Sequence, residues 1–265
     1  MLRSLLLTVV AALLSLWILL PLTYTFIAAL ADVKNYYERL VPTEYTLENF
    51  AVFFRLGAFD ALLRSVAVAA LTIVISFALG VPAGYVLGRL AFRGRDALRL
   101  AILSARMFPV MIMAVPLAVL FIDIGLYDTL LGIALVHAAL ALPFVVIITS
   151  SIFLSVPREM EEAGMVFGLS GWQVFTKITM PLAAPGLTAA AMFTFVISWN
   201  EAFAAAILAS RERTLPALTV ATTVAGIGGA APDPYRFAAA AILSLPAFLI
   251  MAYMRKHLTA MWGVR

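Results

Sequence analysis

The stretch Thr129–Pro157, TLLGIALVHAALALPFVVIITSSIFLSVP, holds 29 residues without one Asp, Glu, Lys or Arg. A helix needs roughly 20 apolar residues to cross the hydrocarbon core of a bilayer, and a charge at the bilayer centre is costly enough to be rare. This stretch is therefore long enough for one spanning helix, and the same criterion works outward along the chain. Charge-free runs recur at Ser4–Ala31 (28 residues), Ser65–Gly88 (24), Ile178–Asn200 (23) and Phe237–Met254 (18). A run of 16, Met107–Ile122, reaches spanning length only if Arg106 and Asp123 sit at its two interfaces. Apolar residues surround each segment instead of forming a stripe, as expected where one side meets lipid and the other meets neighbouring helices. The expected fold is all-α: a polytopic membrane protein of one transmembrane domain, 1–265, with helices over 5–31, 62–88, 101–124, 130–154, 184–208 and 236–255.

Composition points the same way. The chain has 265 residues, 64% apolar and 12% charged, where a soluble domain carries about 45–50% and about 25%. It has no cysteine, which excludes disulfides, thiolate metal sites and cysteine nucleophiles. The net charge of +4 reads as a topology signal and not as nucleic-acid binding, because cytoplasmic loops of membrane proteins are enriched in Lys and Arg. Six spans put both termini on one side. The loop between the second and third spans carries Arg89, Arg93, Arg95, Arg99 and Arg106, and such a cluster close to the membrane places that loop and both termini in the cytoplasm. Arg3, an apolar run and Ala29-Leu30-Ala31 imitate a secretory signal peptide, but the run is far longer than the usual core of about 7–15 residues. A retained helix is expected.

Several local features qualify this outline. Thr46 is a candidate N-cap, with Asn49 three residues on, for a short interfacial helix in the loop 32–60. Gly80, Gly84 and Gly88 recur every four residues, giving the second span a face that another helix can approach closely. Pro82 suggests a bend there, and Pro109 and Pro116 make the third span a candidate for distortion. Met107, Met111 and Met113 read as adaptable packing.

The inner segment 157–181 differs from the other connections. Pro157 opens a helix without losing a needed donor, and Glu159, Glu161 and Glu162 suit its positive end. Gly168 and Gly171 end or turn it, and Trp172, Phe175 and Ile178 follow on one face. Apolar anchors rimmed by charge have the makeup of a docking surface.

This segment resembles the signature of ABC-importer permease subunits, Glu-Ala-Ala, three residues, Gly, nine residues, Ile, one residue, Leu-Pro. Glu162-Ala163-Gly164, Gly168, Ile178 and Met180-Pro181 reproduce its spacing, with Gly164 for the second Ala, Met180 for Leu and Phe167 where sugar-importer members usually have Asp. Met107-Phe108-Pro109, Gly125-Leu126-Tyr127-Asp128-Thr129, Leu142-Pro143-Phe144, Trp199-Asn200-Glu201, Thr214-Leu215-Pro216 and Leu258-Thr259-Ala260 also look like patches of the carbohydrate-uptake, maltose-transporter-like group. The tail then reads Met261-Trp262-Gly263 where Gly-Ala-Val-Lys-Gly is usual. Within that group the chain is most similar to the second, shorter permease. The resemblance implies a type I transmembrane domain with a cytoplasmic coupling helix. It implies a heterodimer with a second permease, two ATP-binding subunits that hold ATP and Mg, an extracytoplasmic solute-binding protein, and a sugar or polyol as cargo. It assigns ATPase coupling to Glu159, Glu161, Glu162, Ala163, Gly164, Gly168, Ile178 and Pro181, with Glu162 facing a basic residue of the ATPase. No P-loop pattern occurs in the chain, so no cofactor is expected in it.

Other polar residues leave alternatives open. Trp199 could stack on a sugar and Asn200 could bond its hydroxyls, or both could pack between helices. Glu201 is either a functional carboxylate of the pathway or one that snorkels to the interface or pairs with a neighbour. Asp123 and Asp128 are expected to be solvated, His137 to be packed or hydrogen-bonded, and Arg106 to snorkel inward. Ser210–Tyr235, with Gly226, Gly228, Gly229, Pro232 and Pro234, reads as a flexible loop; in the family the equivalent loop touches the binding protein. The alternative function is an ion-coupled secondary transporter using Glu201 or Asp123. An enzyme finds little support, with two histidines and no metal-ligand cluster.

Overall fold

A computed structural model describes residues 2–39, 41–224 and 231–261. Gly226, Gly228 and Gly229 of the glycine-rich loop, and Trp262, Gly263 and Arg265 of the tail, lie outside the described residues. Thirteen α-helices account for most of the chain among the described residues: α1 (Leu2–Leu30), α2 (Val33–Glu38), α3 (Glu48–Arg55), α4 (Ala58–Arg89), α5 (Arg95–Ser104), α6 (Val110–Asp123), α7 (Leu130–Ser155), α8 (Arg158–Val166), α9 (Gly171–Val174), α10 (Met180–Asn200), α11 (Phe203–Leu208), α12 (Leu215–Val224) and α13 (Asp233–Met261). Five stretches are long and apolar enough to cross a membrane: Leu5–Leu30, Ala58–Arg89, Leu130–Ser155, Gly171–Asn200 and Asp233–Ile250. A sixth is the bent pair Arg95–Met107 and Val110–Asp123.

Two expected spans are broken. The third, expected over 101–124, turns by 82° between Met107 and Val110. Pro109 lacks an N–H and excludes helical geometry from the residue before it, and Phe108 is accordingly extended, with φ −74° and ψ 121°. The fifth, expected over 184–208, begins earlier and stops sooner. Ser170 and Gln173 form a reciprocal capping box that starts α9, a π turn over Phe175–Thr179 joins α9 to α10, and the helix ends at Asn200 before an extended Glu201. Pro82, by contrast, lies within an unbroken α4. Part of the expected loop 210–235 is helical as α12.

The chain forms two compact units, Met1–Asp60 with Leu218–Ala247, and Ala61–Ala217 with Phe248–Arg265. In the first, α3 is fastened to the end of α1 by Asn49, whose buried amide donates to the Ala29 and Ala31 carbonyls, each at 2.8 Å. Leu47, not Thr46, is the N-cap of α3; the Thr46 hydroxyl accepts from the Glu48 amide two residues later. Ala29, Ala238 and Ala241 are buried there beneath Phe26, Phe50 and Phe237.

In the second unit the small face of α4 meets α7 as expected. A Cβ on Gly80 would stand 2.7 Å from Val145 Cγ1, one on Gly88 2.8 Å from the Ser150 carbonyl oxygen, and one on Gly84 would overlap the Thr149 hydroxyl. Helix backbones thus approach more closely than any larger residue permits. Val68, Phe121, Ile133 and Leu208 fill the core among α4, α6, α7 and α11.

Asp128, expected to be solvated, instead closes a clamp. Its φ of +58° is a conformation that Asp tolerates better than most residues. Its carboxylate accepts from the Ser210, Arg211 and Glu212 amides at 2.9–3.0 Å and from the Ser210 hydroxyl at 3.2 Å. Partial burial pushes this carboxyl's pKa up, but the hydrogen bonds from Glu212, Arg211 and Ser210 outweigh that and hold it below the ordinary value.

Overpacking costs on the order of 1–3 kcal/mol, so Gly84→Val is expected to lower the thermal midpoint of the purified protein by at least several degrees. Gly171→Ala, with open space around it, leaves the midpoint unchanged. Because Asp128 has a lower pKa folded than unfolded, its stabilisation is complete above the unfolded value of about 4 and is lost as pH falls through the folded value. A midpoint-versus-pH series should show that acid step in the wild type and lose it in Asp128→Asn, which is already weakened at pH 7.

Candidate functional site: the protruding helix and its buried ion pair

The sequence of α8 divides it into two faces. Glu159, Met160, Glu162, Ala163, Val166 and Phe167 recur at helical spacing and are exposed, Val166 and Phe167 at 85% and 86%. Glu161 and Gly164 lie on the opposite face and are buried. Gly168 ends the helix with φ +84°, the left-handed conformation that glycine adopts without strain. Leu169 then donates its amide to the Gly164 carbonyl, reversing the chain into α9.

Glu161 therefore behaves differently from the other two acidic residues grouped with it in the sequence. Its Oε1 accepts from Arg89 Nε at 3.0 Å and from the Thr179 hydroxyl at 2.8 Å, with Arg89 and Glu161 side chains 5% and 11% exposed. The second arm of Arg89 donates to the Val156 carbonyl at 2.6 Å, and Arg158 donates to the Arg89 carbonyl at 3.3 Å. A buried ion pair is costly to form unless its remaining polar atoms are also satisfied; here Thr179 and Val156 do that. One guanidinium thus ties together the end of α4, the start of α8 and, through Glu161, the π turn before α10.

An apolar platform lies beside the pair. Tyr85 packs edge-on against Phe153 at 5.4 Å and against Phe175 at 4.7 Å between ring centroids, and Val81, Val156, Ala183 and Leu187 complete the cluster. Phe175 is buried within it, whereas Trp172, expected on the same face, remains 70% exposed, with its ring 5.5 Å from that of Phe175. Gly164 lies so close to Ile178 that a Cβ would overlap its Cδ1, so two residues of the sequence signature, 14 positions apart, touch across the α8–α9 turn. Pro181, in the first turn of α10, is exposed.

The sequence reading missed Arg89, which it counted only as a topology charge. Its neighbours also have structural tasks: Arg99 donates to the Leu87 carbonyl at 3.0 Å and to the Ser150 hydroxyl at 2.9 Å, and Arg95 to the Gly88 carbonyl at 3.4 Å. Cations there meet the free carbonyls and the negative end of α4. The available sign was position: Arg89 is the last residue of α4, one step beyond the glycine ridge.

The other sequence candidates are placed apart from this cluster. Trp199 is 2% exposed and stacked on Phe195 at 5.5 Å between ring centroids. Asn200 is exposed, with Nδ2 donating to the Val196 carbonyl at 3.0 Å. Glu201 caps α11 by accepting from the Ala204 amide at 2.9 Å. His137 is buried and bonded to the Ser198 hydroxyl at 2.9 Å, as its packed reading expects.

Removing one member of a buried pair commonly costs about 3–5 kcal/mol because the other charge is left unpaired. Arg89→Gln or Glu161→Gln is expected to raise hydrogen exchange across 157–181 by at least tenfold. The double substitution Arg89→Met with Glu161→Met should recover part of the protection.

The family model for the binding-protein-dependent transport system inner membrane component matches residues 80–261, a span that includes α8, α9 and both members of the pair. The trehalose transport system permease protein SugB of Mycobacterium tuberculosis is 31% identical over 91% of this chain and 89% of its own. The diacetylchitobiose uptake system permease protein DasC of Streptomyces coelicolor is 28% identical over 81% and 78%. A bacterial ABC transporter involved in import of the acidic polysaccharide alginate has a chain of the same fold, with a TM-score of 0.75, 20% identity and coverage of 96% and 95%. The chain therefore belongs to the binding-protein-dependent transport system inner membrane components, the multi-pass permease subunits of ABC importers.

Proposed function

We propose that this chain, as a single transmembrane domain over 1–265, forms half of the translocation pathway for a sugar or polyol and receives the ATP-driven stroke through α8 and α9. The observation that carries the reading is the division of α8: an exposed face of Glu159, Glu162, Ala163, Val166 and Phe167 available to a partner, backed by a buried face bolted to α4 through Arg89 and Glu161. A push on the first is delivered to the second, and from there to two spans.

In this reading Glu159 and Glu162 pair with basic residues of an ATP-binding subunit, and the exposed Ala163 lets its surface come close. Glu161 and Thr179 hold the helix in register, Gly164 and Ile178 lock α8 onto the π turn, and Gly168 and Pro181 flank the segment between α8 and α10. Two ATP-binding subunits hold ATP and Mg, a second permease supplies the other half of the pathway, and an extracytoplasmic solute-binding protein delivers cargo. The cluster Arg89, Arg93, Arg95 and Arg99 supports placing the α8 side and both termini in the cytoplasm. Relatives named for trehalose and diacetylchitobiose support a carbohydrate as cargo. Membership of the binding-protein-dependent family supports ATP-driven over ion-coupled transport.

With the complete transporter in proteoliposomes, Glu162→Lys is expected to reduce ATP-dependent sugar uptake at least tenfold while the protein still assembles in the membrane. Gly168→Ala, forced into a conformation costing about 1–2 kcal/mol for a residue with a Cβ, should be impaired more than Gly168→Asn. Uptake that stays at the wild-type rate in Glu162→Lys and Gly168→Ala would refute the coupling role.

A further inference from the structure

Irregular backbone at membrane depth is tolerated only where protein covers it or where it lines a water-filled cavity. Both broken spans of this chain open onto the same space. A cavity of about 460 Å³ is lined by Arg106, Phe108, Leu140, Val196, Asn200 and Glu201, among others. Phe108 belongs to the 82° bend before α6, while Asn200 and Glu201 belong to the break between α10 and α11. Two discontinuities that are remote in sequence thus meet at one cavity, whose mostly apolar lining carries three polar side chains, Arg106, Asn200 and Glu201.

The lining has a definite chemistry. The Arg106 guanidinium carbon sits 3.9 Å above the centre of the Phe144 ring, which is itself held edge-on by Phe193 at 5.5 Å. Among the described residues Arg106 makes no ion pair. Stacking restrains the plane of the guanidinium while leaving its N–H edges to donate. Glu201 spends one oxygen on the Ala204 amide, and Asn200 spends its nitrogen on the Val196 carbonyl. Acceptor oxygens and a donor fork therefore line one cavity, with one positive and one negative charge. Phe108, 66% exposed, adds an aromatic face.

We infer that this cavity is a binding site for one uncharged sugar ring of the transported substrate, so that this subunit contacts cargo directly through Arg106, Asn200, Glu201 and Phe108. The inference rests on the carbohydrate-transport reading above. A sugar ring offers hydroxyls that both donate and accept and an apolar C–H face; the cavity offers acceptors, donors and an aromatic ring. The volume falls within the roughly 300–1,000 Å³ of small-molecule sites. Opposed charges cancel, so neither an anionic nor a cationic sugar gains from the net field.

The absence of cysteine from the chain makes the test direct. In membrane vesicles carrying the complete transporter, Val196→Cys supplies the one thiol of this chain, and its reaction with a maleimide is followed on the separated subunit. Trehalose or N,N′-diacetylchitobiose, whichever the wild-type vesicles take up, should slow labelling several-fold, and glucuronate should not. Arg106→Gln in the same background should abolish the protection and raise KM for uptake roughly tenfold or more, the scale of a lost charged hydrogen bond. Glu201→Gln keeps the cap on α11 but leaves Arg106 uncompensated, and should let glucuronate protect. Labelling that is equally fast with and without a sugar that the vesicles demonstrably transport would overturn this site and leave the transport reading standing. Vesicles that take up neither sugar would overturn both.

Discussion

Hydrocarbon supplies no hydrogen-bond partner, and each backbone group left unpaired in it costs several kcal/mol. Continuous helices satisfy that constraint by themselves; several departures from them here are met by a side chain bonded to the exposed backbone. Asn49 takes the two carbonyls at the end of α1, Arg99 and Arg95 take those at the end of α4, and Asp128 gathers three amides after α11. Glu201 caps the restart of the fifth span. With 12% of its residues charged, the chain concentrates much of its polarity where helices begin, end or break.

The Arg89–Glu161 contact is the most deeply buried ion pair among the described residues, and it joins three elements at one point. Arg89 satisfies the Val156 carbonyl and at the same time holds the carboxylate of a helix that projects from the bundle. The aromatic cluster of Tyr85, Phe153 and Phe175 is close-packed beside it, so the joint has little room to deform without moving its neighbours. Stiffness at that point is what the coupling role proposed above requires.

Much of this was legible in the sequence because it follows from one-dimensional rules. Charge gaps counted six spans, four-residue glycine spacing marked the α4–α7 contact, and the signature around Glu162 and Gly168 marked the protruding turn. What remained hidden depended on partners distant in the chain. Glu161 and Glu162 are adjacent and chemically identical, yet one is buried against a residue 72 positions earlier and the other is exposed. Trp199 and Asn200 look equally suited to a sugar, but the helix turns the first inward. Asp128 reads as a solvated turn residue until the segment at 210–212 arrives beside it. Pro82 and Pro109 illustrate the same limit: the first lies inside a continuous helix, and only the second separates two.

The π turn at Phe175–Thr179 carries one residue more than the α-helical ladder accommodates, at the place where α9 becomes α10. Such a surplus can be handed along a helix by exchanging hydrogen-bond partners one residue at a time, and each step changes the direction in which the residue it passes points by about 100°, leaving the rest of the helix in phase. The Thr179 hydroxyl, bonded both to Glu161 and to the Val174 carbonyl, pins the surplus in its present position. The place of the surplus in the fifth span is thus tied to the buried carboxylate of α8: if Glu161 withdraws, the bond that fixes which residues of 175–179 sit in the wide turn goes with it.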